Sequence, residues 1–75
     1  MGESNVEDDV TVSDLDEIEA PWGKKIRMQN LRFEEGMSLL RLRIREGRRI
    51  TDLELDPDTA RRVAAFLSEW ADGNG

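Results

Sequence analysis

The chain has no cysteine, no histidine and no tyrosine, and only two prolines in 75 residues. Each absence removes a class of chemistry. Without cysteine, no disulfide braces the fold and no thiolate holds a metal. That lack fits a reducing compartment. Without histidine, the commonest general base near neutral pH and the commonest metal ligand are missing. Catalysis would have to rest on carboxylates, Ser, Thr, Lys or Arg, and no nucleophile–base pairing stands out among them. The expectation is a protein that is not an enzyme. There is no phosphate-binding glycine pattern and no internal repeat. No run approaches the roughly 20 apolar residues of a membrane span. Met1–Val10 lacks the apolar core of a signal peptide. A cytoplasmic protein without a membrane partner is expected. The acid clusters Asp14-Leu15-Asp16 and Glu7-Asp8-Asp9 lack the glycine and terminal glutamate of a calcium loop. No metal and no cofactor is expected.

What is present divides at Pro21. Residues 1–20 carry eight acids and no Lys or Arg, while residues 21–75 carry all eleven cations and the other nine acids. The net charge of −6 therefore splits into −8 and +2. Residues 1–20 read as an acidic flexible tail and residues 21–75 as a small sheet-plus-helix domain. A domain of that size buries only roughly 60% of its unfolded surface and is marginal alone. Small domains often gain stability by oligomerising, so a homodimer is expected.

Within the tail, residues 1–9 have the polar, acidic composition of disorder. Apolar residues begin at Val10. Leu15, Ile18 and Trp22 stand at i, i+3 and i+7, one face of a helix that Ser13 would cap and Pro21 and Gly23 would end. Two readings follow. In one, the segment is a linker tacked onto the body. In the other, it is a short motif that docks on a protein partner as an amphipathic helix.

The body begins with a predicted strand, Lys25 to Phe33. Ile26 and Met28 share one parity and Leu31 and Phe33 the other, which places a bulge at Gln29-Asn30. Glu34-Glu35-Gly36 is a turn. Met37 to Arg45 alternates cleanly, with Leu40, Leu42 and Ile44 on one side and Arg41, Arg43 and Arg45 on the other. That pattern suits an antiparallel sheet with one buried and one wet face. A third strand, Ile50 to Leu55, follows a four-residue loop at Glu46–Arg49. This loop sets Arg45 opposite Ile50, Leu42 opposite Leu53, Leu40 opposite Leu55, Arg43 opposite Asp52 and Arg41 opposite Glu54. Val10–Val12, or the segment near Lys24, is a candidate fourth strand.

The helix signal is the strongest in the chain. Asp56 is an N-cap, Pro57 fits the first helical position and Gly73 is placed to end the helix. Ala60, Val63, Ala64, Phe66, Leu67, Trp70 and Ala71 fall on one arc of about 160°. The helix is expected to lie across the Leu40/Leu42/Leu53/Leu55 face. Phe66 and Trp70 stand at one edge of the arc. They either pack on Ile26, Met28 or Trp22, or form a contact with a partner. The fold class is thus α+β: an antiparallel meander of three strands, or four, with one C-terminal helix packed on one face and an acidic disordered tail.

The window Lys24–Arg49 holds nine cations and three acids. A basic sheet face is a footprint of nucleic-acid binding, here through Arg27, Arg41, Arg43, Arg45, Arg48 and Arg49. It is equally the footprint of a charge-paired, solvated face. A −8 arm tethered to this surface would also visit it at high effective concentration and mask it.

The segments Leu39–Gly47 and Leu53-Glu54-Leu55-Asp56-Pro57-Asp58-Thr59-Ala60 resemble a small family of short uncharacterised bacterial proteins. These join a basic hairpin to a leucine-acid-leucine-Asp-Pro lead into a final helix. The resemblance covers residues 22–71 and implies no activity. In order of elements the chain is also similar to PC4-like coactivators, which run a curved antiparallel sheet into a C-terminal helix. That similarity implies dimerisation through the helix and single-stranded nucleic-acid binding on the sheet. The chain lacks their stacking aromatics on the sheet, and no binding residue carries over. The expected function is a non-enzymatic, homodimeric accessory module that binds an unidentified protein through Leu15, Ile18, Trp22, Phe66 and Trp70. The alternative is a PC4-like nucleic-acid binder using the arginines named above.

Overall fold

The computed structural model describes the backbone of Ser4–Glu7 and residues 10–75 throughout. Residues 1–3 and Asp8-Asp9 of the Glu7-Asp8-Asp9 cluster lie outside the described residues; Ser4–Glu7 is a strand where the composition of residues 1–9 suggests disorder. Four long strands form an antiparallel meander: β2 (Val10–Ala20), β3 (Lys24–Phe33), β4 (Ser38–Glu46) and β5 (Arg49–Leu55). A four-residue strand, β1 (Ser4–Glu7), adds to the free side of β2. One helix, α1 (Pro57–Asn74), follows. The α+β meander with a C-terminal helix is therefore as the sequence suggests, but with more strands.

Val10–Val12, the candidate fourth strand, does begin a strand; the largest departure is that this strand continues through Ala20. The segment forms neither a tail nor a docking helix but an eleven-residue strand paired with β3 from Val10↔Phe33 to Ala20↔Lys24. The reason is charge and shape together. Glu19 lies opposite Lys25, Glu17 opposite Arg27 and Ile18 opposite Ile26. Pro21-Trp22-Gly23 makes the short turn between them, with Trp22 and Gly23 at φ 63° and 72°. Cross-strand ion pairs and apolar pairs outweigh weak helix propensity in a segment this short.

The expected bulge also moves. The β3–β4 ladder runs unbroken from Lys25↔Arg45 to Arg32↔Ser38, so Gln29-Asn30 is regular. The irregularity lies in β2, where Leu15 is the extra residue between Asp14↔Gln29 and Asp16↔Met28. Leu31 and Phe33 differ in parity from Ile26 and Met28 because the apolar residues of β3 stand on opposite faces at its two ends. Leu31 pairs with Val12 and Leu39, and both Leu31 and Val12 are buried.

The β4–β5 hairpin has the register argued from the sequence, from Leu40↔Leu55 to Arg45↔Ile50. Pairing continues to Glu46↔Arg49, so the loop is only Gly47-Arg48. Gly47 takes φ 60°, as a primed two-residue turn requires. The β3–β4 turn closes with the Gly36 amide donating to the Phe33 carbonyl at 2.8 Å.

α1 starts as expected. Asp56 Oδ1 accepts from the Thr59 amide at 3.2 Å, and Pro57 occupies the first turn. That bond holds the Asp56 carboxyl below its ordinary value. The helix runs past Gly73 to Asn74, with Gly75 as its cap. It meets β4 and β5 at its N-terminal end, where Pro57 and Ala60 sit beside Leu40 and Leu55. It does not lie across the whole Leu40/Leu42/Leu53/Leu55 face. Leu55 is buried, but Leu53 is 51% exposed. Phe66 and Trp70 accordingly do not pack on Ile26, Met28 or Trp22, since both are 68% exposed and Trp22 is 90% exposed.

Candidate interaction surfaces

Because strand residues alternate between faces, the register assigns the side chains of β2 to β5 to one face or the other. One face is charged and is organised in rows that cross four strands. The first row is Asp14, Gln29, Arg41 and Glu54. Gln29 is buried and donates through Nε2 to Asp14 Oδ1 at 2.8 Å, while Arg41 Nη1 donates to Gln29 Oε1 at 3.4 Å. Arg41 Nε lies 3.6 Å from the Glu54 carboxylate. The second row is Glu17, Arg27, Arg43 and Asp52. Arg43 holds Asp52 with two 2.9 Å hydrogen bonds. This fork keeps the Asp52 carboxyl below its ordinary value. Arg27 lies 3.7 Å from Glu17 and 3.8 Å from Asp14. The third row is Glu19, Lys25, Arg45 and Ile50.

The rows have one logic. The cations of β3 and β4 are bracketed by the acids of β2 on one side and of β5 on the other. Lys25, Arg27, Arg41, Arg43 and Arg45 thus share a face with Asp14, Glu17, Glu19, Asp52 and Glu54. The acidic segment that reads as a mobile mask is in its strand part fixed beside the cations. A shallow cleft on this face is lined by Glu17, Lys25, Arg27, Arg43 and Arg45. Of the six arginines expected to act together, Arg27, Arg41, Arg43 and Arg45 do share this face. Arg48 is in the β4–β5 loop, and Arg49 pairs with Glu46 on the opposite face. There Lys24 also reaches Glu46 at 3.0 Å and lowers its carboxyl below the ordinary value.

The middle of the opposite face is apolar, although Asp16 stands beside Met28 in the Leu42 row and Lys24, Glu46 and Arg49 lie on the same face. Leu42 lies between Met28 and Leu53, and Ile44 lies between Ile26 and Thr51, with Ile18 beyond Ile26. Ile18 is 50% exposed. The start of α1 covers only the Leu40–Leu55 end. Among the described residues, α1 contains no buried side chain and Ala60 alone is half-buried. Val63, Phe66, Leu67 and Trp70 form an exposed apolar stripe along its length.

The five expected docking residues are therefore divided. Phe66 and Trp70 stand together on the α1 stripe. Leu15 is exposed at the bulge, Ile18 belongs to the apolar sheet face and Trp22 projects from the β2–β3 turn. Leu15, Ile18 and Trp22 share no surface, because the helix that would align them is a strand. Sequence reasoning also missed Asp14, Glu17 and Glu19 as part of the charged face. Their signal was readable as acids before Pro21-Trp22-Gly23 mirroring cations after it.

No cluster of three or more metal-ligating side chains occurs among the described residues. No described helix is long and apolar enough to cross a membrane. The chain belongs to DUF6967, a family of unknown function, with the match spanning residues 9–73. That span takes in β2, which the resemblance drawn from the hairpin and helix leaves out. No curated protein and no solved structure matches the chain.

Proposed function

We propose that the protein is a non-enzymatic interaction module, an accessory subunit that works by presenting α1 to a protein. The observation behind this reading is the apolar stripe Val63, Phe66, Leu67 and Trp70 on a helix that meets its own sheet only at its start. In proteins most helical stability comes from covering an amphipathic face. Aromatic residues in such a stripe are the usual anchors of protein interfaces. The charged face gives less support to nucleic-acid binding. Its five cations are matched by five acids in the same rows, which leaves little excess positive charge for phosphate.

The test compares the full chain with Phe66→Ser/Trp70→Ser as baits in affinity capture. The reading expects at least one protein, a copy of the chain included, to be held by the natural bait and lost by the variant. Identical captured sets on both baits, with the variant's sheet intact by circular dichroism, would overturn it.

A further inference from the structure

We infer that the occupant of the α1 stripe is a second copy of this chain. In the resulting two-fold dimer, α1 of each copy lies on the apolar sheet face of the other. The inference rests on the reading of α1 as the working surface.

The chain owns both halves of a helix-on-sheet layer and does not join them itself. A sheet with one apolar face and a helix with one apolar stripe are each stable when packed on the other. Here α1 leaves the sheet after Pro57 and Ala60, beside Leu40 and Leu55. The rows through Leu42 and Ile44 have no helix over them; the first runs from Asp16 to Leu53 and the second from Ile18 to Thr51, and Leu53 and Ile18 are half exposed. What one copy lacks, a second copy carries.

The core of a single copy is also too small. Val12, Leu31 and Leu55 are the buried apolar residues among those described. Domains of this length are marginal on a single core and often gain stability by oligomerising, and the chain has no cysteine to brace it.

The areas match. Phe66 and Trp70, each 68% exposed, leave roughly 100–170 Å² of aromatic surface apiece in water. With Val63 and Leu67 on the helix and Leu53 and Ile18 on the sheet, one copy offers on the order of 700 Å². That approaches the about 800 Å² per partner of a standard interface. A reciprocal exchange of helices is self-complementary and closes on itself. It also leaves the charged rows alone, since they are paired within each copy. Joining the copies edge to edge along β5 is poorer. A two-fold axis at Asp52 opposes that acid to itself, and an axis at Leu53 opposes Asp52 to Glu54.

The experiment has two parts. Sedimentation of the full chain across a micromolar concentration series is expected to show a dimer. Phe66→Ser/Trp70→Ser is expected to weaken it by about a hundredfold or more. A chain that stays monomeric throughout overturns the second-copy inference and leaves the α1 reading to the capture experiment. A dimer unaffected by the double variant overturns the inference and removes the α1 stripe from that interface. The second part does not depend on a disruptive variant. Leu53→Cys chains are mixed with Ala64→Cys chains under mild oxidation, each carrying the only thiol in its chain. The arrangement expects the mixed 53–64 disulfide to dominate. Dominant 64–64 pairs would mean helix against helix and would overturn the geometry.

Discussion

On one face of the sheet, charge finds charge within a single chain. On the other, leucine, isoleucine and methionine stand open under a helix that meets them only at its start. The difference lies in how far each kind of partner has to be carried. An ion pair such as Arg43–Asp52 needs only the neighbouring strand, and the hairpin register delivers it. Covering Leu53 needs a second layer, and α1 begins at the far end of the face and does not cross it. A small meander can therefore finish its electrostatics alone while leaving its hydrophobic work unfinished.

The sharpest way to break the comparison is to compare a leucine from the closed corner with one from the open face. Leu31→Ala, at a buried position paired with Val12 and Leu39, is expected to lower the unfolding free energy by about 2–5 kcal/mol. Urea titration should show that loss at every protein concentration. Leu53→Ala, at a half-exposed position, should cost clearly less in dilute solution. Its cost should grow with concentration as the second copy covers the site. Equal, concentration-independent costs at the two positions would erase the contrast.

A smaller effect runs in the opposite direction. Trp22 holds a left-handed backbone (φ 63°) with its ring 90% exposed, so no packing is at stake there. Trp22→Gly should raise stability by about 0.5–1 kcal/mol, the strain relieved exceeding the entropy glycine adds to the unfolded chain. An unchanged or lower urea midpoint would show that the ring is in fact held by something.

The charged face is tested by acid. Arg43 lowers the Asp52 carboxyl, so their pairing contributes fully above the unfolded value of about 4 and is lost as pH falls through the lower folded value. Because both groups are about a third exposed, the amount is no more than about 1 kcal/mol. Asp52→Asn should be less stable than the natural chain at neutral pH and should lose less on acidification. Parallel pH profiles would mean that the fork contributes nothing. The smallest effect is expected at Asp56→Ala. It should fray the first turn of α1, read as a slight loss of helical circular dichroism with the sheet signal unchanged.

The parts of the fold that sequence reasoning recovered are those in which one local rule acted alone. Leu40-Arg41-Leu42-Arg43-Ile44-Arg45 alternates strictly, and its match to Leu53-Glu54-Leu55 fixed the hairpin register. Asp56-Pro57 marked the start of the helix. Val10–Val12 is legible as a strand, but in Ser13–Ala20 two competing signals coincide. Acidity suggested a tail, and Leu15, Ile18 and Trp22 happened to fall at helical spacing. The strand alternation that should have corrected the reading is interrupted at Leu15, so Asp14 and Asp16 lie on opposite faces despite their shared parity. The candidate site was half legible for a related reason. Periodicity showed that Phe66 and Trp70 share the apolar side of a helix. Whether that side meets its own sheet depends on the direction the chain takes after Asp56, which no pattern of residues encodes.

The bulge at Leu15 has a consequence for how chains of this design can vary in length. Leu15 has no partner in the ladder, so its removal would leave every pairing in β2 as it stands and would take away only the local twist. Removing Glu17 instead would let the same irregularity close, with Leu15 opposite Met28, Asp16 opposite Arg27 and Ile18 still opposite Ile26. The bulge therefore gives β2 room to lose one residue without turning Ile18 toward the arginines.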